Sequence, residues 1–424
     1  NVPPTNTPIE SAPEASPSDN PLLIDTQMND TLPIFSEIQP QQVRPALLDV
    51  LQQNRAEIED LINAGHYSWA TFVDKIDNTS DRLQRMWSPV SHMNSVVNSD
   101  ELRDVYNECL PLISEYNTEL GQHKGLYQAY KSLADSEDFK SYTDGQKMVI
   151  DNALRDFRLS GINLGDDDQA RFKKISLELT TLSAKFSDNV LDATQAWKKH
   201  IEDESLLQGL PDSTLALSKQ IAAQADKTGW VLTLDFPLYL PVMTYASNRE
   251  LRQEIHKAFV TRASDQGPDA GKWDNSETLQ QIMVLRREKA QLLGFNNYAD
   301  YSLATKMADS ADQVTEFLED LATRSKSLAQ KDLAELREFA KETDKLDSIE
   351  AWDLTYYAEK LRQHKYSITQ EELKPYFPEA QVLQGMFEIV EKLYDIQIDE
   401  LMDFDSWHKD VRLFIIRDAG DQDR

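Results

Sequence analysis

From Asn20 onward, apolar residues recur every three or four positions along most of the chain, a spacing that gathers them on one face of an α-helix. The clearest run extends from about Gln169 to His200. Phe172, Ile175, Leu179, Leu182, Phe186, Val190, Ala193 and Trp197 form its apolar stripe, opposite Lys173, Lys174, Glu178, Lys185 and Asp188. A second helix is predicted from Ser310, which has capping-box spacing to Gln313 and is followed by Val314, Phe317, Leu321, Leu328, Leu336 and Phe339. Shorter helical patterns occupy Gln41 to Ala64, Glu101 to Leu133 and Gln381 to Tyr394. No fixed-period repeat is present, which argues against a solenoid.

Two segments depart from helical spacing. Trp230, Leu232, Leu234 and Phe236 alternate with Val231, Thr233 and Asp235, the period of a strand. Pro237 and Pro241 follow and are expected to end any helix, so residues 230–246 read as a short strand or extended wall. Val411 to Ile416 is a second run of β-branched and aromatic residues, followed by a turn at Asp418 to Asp421. A return strand would fall beyond Arg424, so the partner of this strand is expected outside the chain. Arg262 to Ser276 reads as a polar, glycine-bearing loop.

Composition narrows the class. With 40% hydrophobic and 28% charged residues and only 13 glycines, the 424-residue chain suits a large helical globular protein. The net charge of −29 argues against a nucleic-acid binder, which needs a basic face. No apolar run is long enough to span a bilayer. Cys109 is the sole cysteine, which excludes an internal disulfide and suits a cytoplasmic setting. Residues 1–20 carry five prolines and no apolar run, and are expected to form a disordered leader.

Recognisable catalytic apparatus is missing from the sequence. His66, His92, His123, His200, His256, His364 and His408 are dispersed, and H-E-x-x-H, which would place two imidazoles on one helix face, is absent. There is no G-x-S-x-G elbow, P-loop or G-x-G-x-x-G. Cys109, on an amphipathic helix, reads as a small buried hydrophobe. The polar loop offers Arg262, Asp265, Lys272 and Asp274, which could meet peptide termini; the blander reading is a simple connection between helices.

Several longer blocks carry a family likeness. WSPVSHMNSVVNSDELRDVYNECLPLISEY (Trp87 to Tyr116), DNALRDFRLSGINL (Asp151 to Leu164), TRASDQGPDAGKWDNS (Thr261 to Ser276) and LLGFNNYADYSLATKMA (Leu292 to Ala308) resemble the zinc oligopeptidases of the thimet oligopeptidase family, peptidase family M3. Within it, the bacterial oligopeptidase A branch is the nearest likeness. The resemblance runs from about Asn20 to Arg417. It implies a mainly α, helical clam-like metallopeptidase fold with minor β, truncated before the zinc-binding helices. In the family, H-E-x-x-H supplies two zinc ligands and a glutamate base, and short peptides are cut within a narrow channel. Those motifs lie beyond the family's equivalent of Arg424, so no catalytic or metal residue is carried over.

The resemblance implies four regions: a leader at 1–20, a long-helix region at 21–200, a helical channel wall at 201–400 with a short β segment near 230–246, and the start of a catalytic lobe at 401–424. The expected function is the N-terminal part of an oligopeptidase A-like zinc metalloendopeptidase, inactive by itself. No zinc is expected on this chain. Its partners would be short peptides and a complementing C-terminal catalytic half, with neither nucleic acid nor membrane. The expected origin is an expression fragment, an interrupted gene product or one half of a nicked enzyme. The alternative is a catalytically dead peptide-binding or regulatory protein.

Overall fold

The computed structural model describes residues 20–23 and 32–418; the proline-bearing leader before Asn20 and the turn residues after Asp418 lie outside the described residues. Helices dominate, as the spacing predicts. α1 (Pro40–Asn63), α2 (Asp74–Val96), α3 (Asp100–Gly121), α4 (Lys124–Ala134) and α5 (Asp144–Leu159) precede the long α6 (Asp166–Ala196). β1 (Lys198–Ile201), α7 (Asp212–Gln224), β2 (Trp230–Thr233), α8 (Phe236–Tyr245) and α9 (Arg249–Val260) follow. Then come α10 (Ser276–Leu292), α11 (Tyr298–Leu303), α12 (Ala311–Asp344), α13 (Ala351–Tyr366), α14 (Gln370–Leu373), α15 (Glu379–Tyr394), β3 (Ile396–Leu401) and β4 (Leu413–Asp418). The strands form two antiparallel pairs, β1–β2 and β3–β4. The chain divides into two compact units, residues up to Thr181 with those from Tyr394 onward, and Leu182–Leu393.

In the first unit α1 starts at Pro40, where a missing N–H costs nothing because the first turn has no carbonyl to offer it. Val43, Leu47, Val50 and Leu51 bury one face of α1 against Met86 and Val90 of α2 and Leu102, Cys109 and Tyr116 of α3. Buried Asn54 is satisfied on both sides: its Nδ2 donates to the Thr79 carbonyl (2.7 Å) and its Oδ1 accepts from Arg82 (2.8 Å). Burial pushes the Cys109 thiol up to about 11, which makes it the inert hydrophobe its sequence context suggests. The predicted helix Glu101 to Leu133 is two helices. Gly121 is a poor helix former, and His123 caps α4 instead of continuing α3, its Nδ1 accepting from the Leu126 N–H (3.1 Å).

The terminal strand also departs from expectation. β4 has a partner within the chain, the upstream β3, in the register Ile398↔Ile416. Ion pairs Arg412–Glu400 (2.6 Å) and Arg417–Asp399 (2.5 Å) span the pair. The intervening residues are held by Asp405, which accepts from the Ser36 N–H (2.9 Å), and by Trp407, packed edge-on against Phe35 and His92.

In the second unit the predicted helix Gln169 to His200 stops at Ala196, and Lys198–Ile201 turns into β1 to pair with β2. Gly229 permits that pairing: its φ is +79°, and a Cβ there would lie 2.3 Å from the Ile201 carbonyl oxygen. The strand expected at 230–246 is only β2, and Phe236–Tyr245 is helical despite two prolines. Pro237 sits in the first turn, where its lost donor has no partner to miss. Pro241 forfeits one helical bond, outweighed by burial of Leu238, Val242 and Met243 in a core shared with Ile201, Leu232, Leu251 and Ile255. Ser310 caps α12 as predicted, accepting from the Gln313 N–H (3.1 Å). Leu336 and Ala340 of α12 pack on Tyr356 and Tyr357 of α13. Earlier in α12, Phe317 and Leu328 of the predicted stripe are instead 62% and 60% exposed.

Candidate functional site

Three arginines, Arg249 and Arg252 in the first turn of α9 and Arg262 just after its end, define the chemistry of this segment. Arg252 is fully buried and fully occupied. Its Nη2 donates to Asp353 of α13 (2.9 Å), its Nη1 to the Ala246 carbonyl (2.7 Å) and its Nε to the Trp352 carbonyl (3.1 Å). Arg249 adds a two-point contact to the same carboxylate, with Nη2 at 2.7 Å. Burial, the largest influence, pushes the Asp353 carboxyl up. Hydrogen bonds from Arg249, the Glu350 N–H and Arg252 together outweigh it and hold the group below its ordinary 3.8. This cluster ties α9 to α13, and its two buried members, Arg252 and Asp353, are partnered within the chain.

Arg262 differs. Its guanidinium lies 3.7 Å from the centre of the Phe259 ring, one helical turn back, and Phe259 stacks on Tyr239 of α8 with centroids 3.8 Å apart and planes 13° from parallel. Phe236 lies tilted beside Tyr239 at 6.5 Å. The Arg262 side chain is half-buried, and its buried Nε has no hydrogen-bond partner among the described residues. Burial pulls its pKa down from the ordinary arginine value, opposed by Tyr239. The group remains a cation at neutral pH. Phe236 is exposed, as are Leu240 and Val260, which follow Tyr239 and Phe259 in sequence.

The loop after Arg262 folds on itself. The Asn275 N–H donates to the Ala263 carbonyl (3.0 Å) and the Gly271 N–H to that of Ser264 (3.1 Å), closing both ends. Buried Asn275 anchors the loop to the C-terminal third of α6: its Nδ2 donates to the Phe186 carbonyl (3.0 Å) and its Oδ1 accepts from Asn189 (2.9 Å). Gly267, at φ +84°, brings its backbone so close to Thr261 that a Cβ would lie 1.9 Å from Oγ1.

The four loop residues selected from the sequence occupy separate places. Arg262 joins the aromatic stack. Lys272 lies 4.0 Å from the Trp273 ring centre, and Asp265 is exposed. Asp274 accepts from the Ser276 N–H (2.8 Å) and Oγ (2.6 Å) at the start of α10, and these bonds lower its pKa. No hydrogen bond or ion pair joins any two of the four among the described residues. Tyr239, Phe259 and Asn275 were not anticipated. The only available signal was the three-residue spacing of Phe259 and Arg262, which puts them on one face.

Three of the histidines have local contacts: His200 with the Thr228 carbonyl (2.6 Å), His256 with Trp352, and His364 with Phe339. Among the described residues no group of three or more His, Cys, Asp or Glu is placed to hold a metal ion.

Sequence comparisons extend the likeness to named proteins. The family model for peptidase family M3 matches residues 242–423, and that for the neurolysin/thimet oligopeptidase N-terminal domain matches residues 46–169. Oligopeptidase A of Haemophilus influenzae is 49% identical over 391 residues, 92% of this chain and 57% of the relative. Oligopeptidase A of Escherichia coli is 48% identical over 404 residues, 95% of this chain and 59% of the relative. A probable cytosolic oligopeptidase A of Arabidopsis thaliana is 39% identical over 96% of this chain and 58% of its own length. The chain thus spans less than three-fifths of the length of these relatives.

Proposed function

Because the chain belongs to peptidase family M3, we propose that it forms the peptide-channel wall of an oligopeptidase A-like zinc metalloendopeptidase and depends on further family sequence for its chemistry. The observation that carries this reading is the uneven coverage: identity of 48–49% over more than nine-tenths of this chain accounts for only 57–59% of the bacterial oligopeptidases. The sequence contains no H-E-x-x-H, and the described residues do not fit a zinc ion, so no hydrolytic step is assigned to them. Alone, the chain is inactive in this reading. Short peptides are its ligands, and a C-terminal catalytic half is its partner.

The apolar residues that α12 and α15 turn outward, among them Phe317, Leu328, Met386 and Ile389, support a role as surfaces covered by that half. The charge of −29 disfavours nucleic acid, and no described helix is long and apolar enough to cross a membrane. A cytoplasmic location fits the single buried cysteine.

The test is cleavage of a short quenched fluorescent peptide, with zinc, by the chain alone and by the chain mixed with the C-terminal half of a bacterial oligopeptidase A. Activity only in the mixture supports the proposal. Activity from the chain alone overturns it. A second reading, a peptide-binding protein without catalysis, is favoured by Arg262, whose Nε has no hydrogen-bond partner among the described residues, and peptide binding with no activity in either arm would select it.

A further inference from the structure

We infer that Arg262, with Phe259 and Tyr239 behind it and the exposed Phe236 ring tilted beside Tyr239, is a subsite for a peptide carboxylate with an apolar side chain next to it. The inference rests on the reading of the chain as peptide-binding and adds to it where the anionic group is held.

Charge balance is the first argument. Acidic residues outnumber basic ones 73 to 44, so carboxylates are in surplus. Arg55, Arg82, Arg249, Arg252, Arg412 and Arg417 all hold one within 2.9 Å. Arg262 has none among the described residues, although its side chain is partly withdrawn from water and its Nε is buried. Its arginine fork retains donors for two-point contact with a carboxylate, the geometry in which such bonds are strongest.

Preorganisation is the second. Contact with Phe259 restrains the guanidinium, and the Tyr239 stack restrains Phe259, so less side-chain freedom remains to be lost on binding. The loop that follows is closed at Ala263–Asn275 and anchored to α6, which holds the position of Arg262. An exposed aromatic side chain near a restrained cation suits a ligand with both features. In so acidic a protein the surrounding field repels anions, so a carboxylate needs a local cation.

The experiment is fluorescence anisotropy on the full chain with three dansylated peptides of one apolar sequence: C-terminal free acid, C-terminal amide, and amide with a penultimate glutamate. Wild type is expected to bind the free acid about tenfold more tightly than the amide, as a charge-assisted hydrogen-bonded pair gives. If the glutamate amide matches the acid, side-chain carboxylates are accepted too; if it matches the plain amide, the site reads the chain terminus. Arg262→Met should reduce the acid-to-amide ratio to about one, and Arg262→Lys should keep part of it, because the charge survives without the fork.

Equal binding of acid and amide by wild type, a ratio that survives Arg262→Met, or no binding of any peptide would overturn the subsite. The wild-type comparison needs no variant to fold. Activity in the complementation mixture with a flat acid-to-amide ratio would leave the peptidase reading standing and remove the subsite. An Arg262-dependent ratio with no complementation would do the reverse.

Discussion

Arg252 and Arg262 belong to one helix-and-loop segment and make opposite use of the same guanidinium group. Arg252 is buried and partnered on all sides: a carboxylate, the carbonyls of Ala246, Ser247 and Trp352, and the Tyr356 ring at 4.0 Å. Arg262 is half-buried, rests on Phe259 and has no acceptor among the described residues. A buried charge is tolerated only when its partners are complete, so the first arrangement is architecture. A restrained cation lacking an acceptor in an acidic protein is not required by the fold around it. The contrast separates a residue that holds the molecule together from one that is available to a ligand, and substitutions should separate them too.

The largest effect should come from Asp353→Ala, which strands two arginines and should cost about 3–5 kcal/mol, read as a fall in the denaturant midpoint. A wild-type-like midpoint would show that the cluster is solvated and equivalent to any surface pair. The same cluster should carry a pH signature. Because the folded pKa of Asp353 lies below the unfolded 3.8, its stabilisation is present above that value and lost as pH falls through the folded pKa. The stability gap between wild type and Asp353→Asn should therefore be constant near neutrality and narrow below about pH 4.

Asn275→Ala should come next, at about 1–3 kcal/mol, since it leaves the Asn189 amide without its acceptor and removes the second bond to the Phe186 carbonyl. Gly267→Ala should cost about 1–2 kcal/mol through the left-handed backbone and collision with Thr261, and proteolysis at the loop should accelerate. Arg262→Met should be the mildest, about 0.5 kcal/mol or less by thermal melting. A loss as large as that from Asp353→Ala would end the contrast and make Arg262 structural.

The long helices were legible because their apolar stripes and the Ser310 cap are local signals, and α12 starts where its cap predicts. α8 was not, because Pro237 and Pro241 speak against a helix and only the core beneath Leu238 and Val242 overrules them. β1 (KKHI) and β3 (IQIDEL) carry charges that lower strand propensity, and each is defined by a partner that local spacing cannot reveal. This is why β4 read as a strand with no mate. The site was half legible. Arg262 could be named from the loop, but its aromatic support comes from α8 and α9 packing together, and the anchoring role of Asn275 depends on the distant C-terminal third of α6.

The bond between Arg252 and Asp353 joins residues separated by 101 positions, and that separation orders the folding of the second unit in time. During synthesis α9 emerges long before α13, and until Asp353 arrives the Arg252 guanidinium has only the nearby backbone carbonyls of Ala246 and Ser247 to bind. The core around Ile255 must then either stay open to water at that point or bury an uncompensated charge. Closing so long a loop is slow, because its entropy is lost before the contact forms. A nascent chain released before Glu350 would therefore stall with α8 and α9 loosely packed, a species for chaperones to hold.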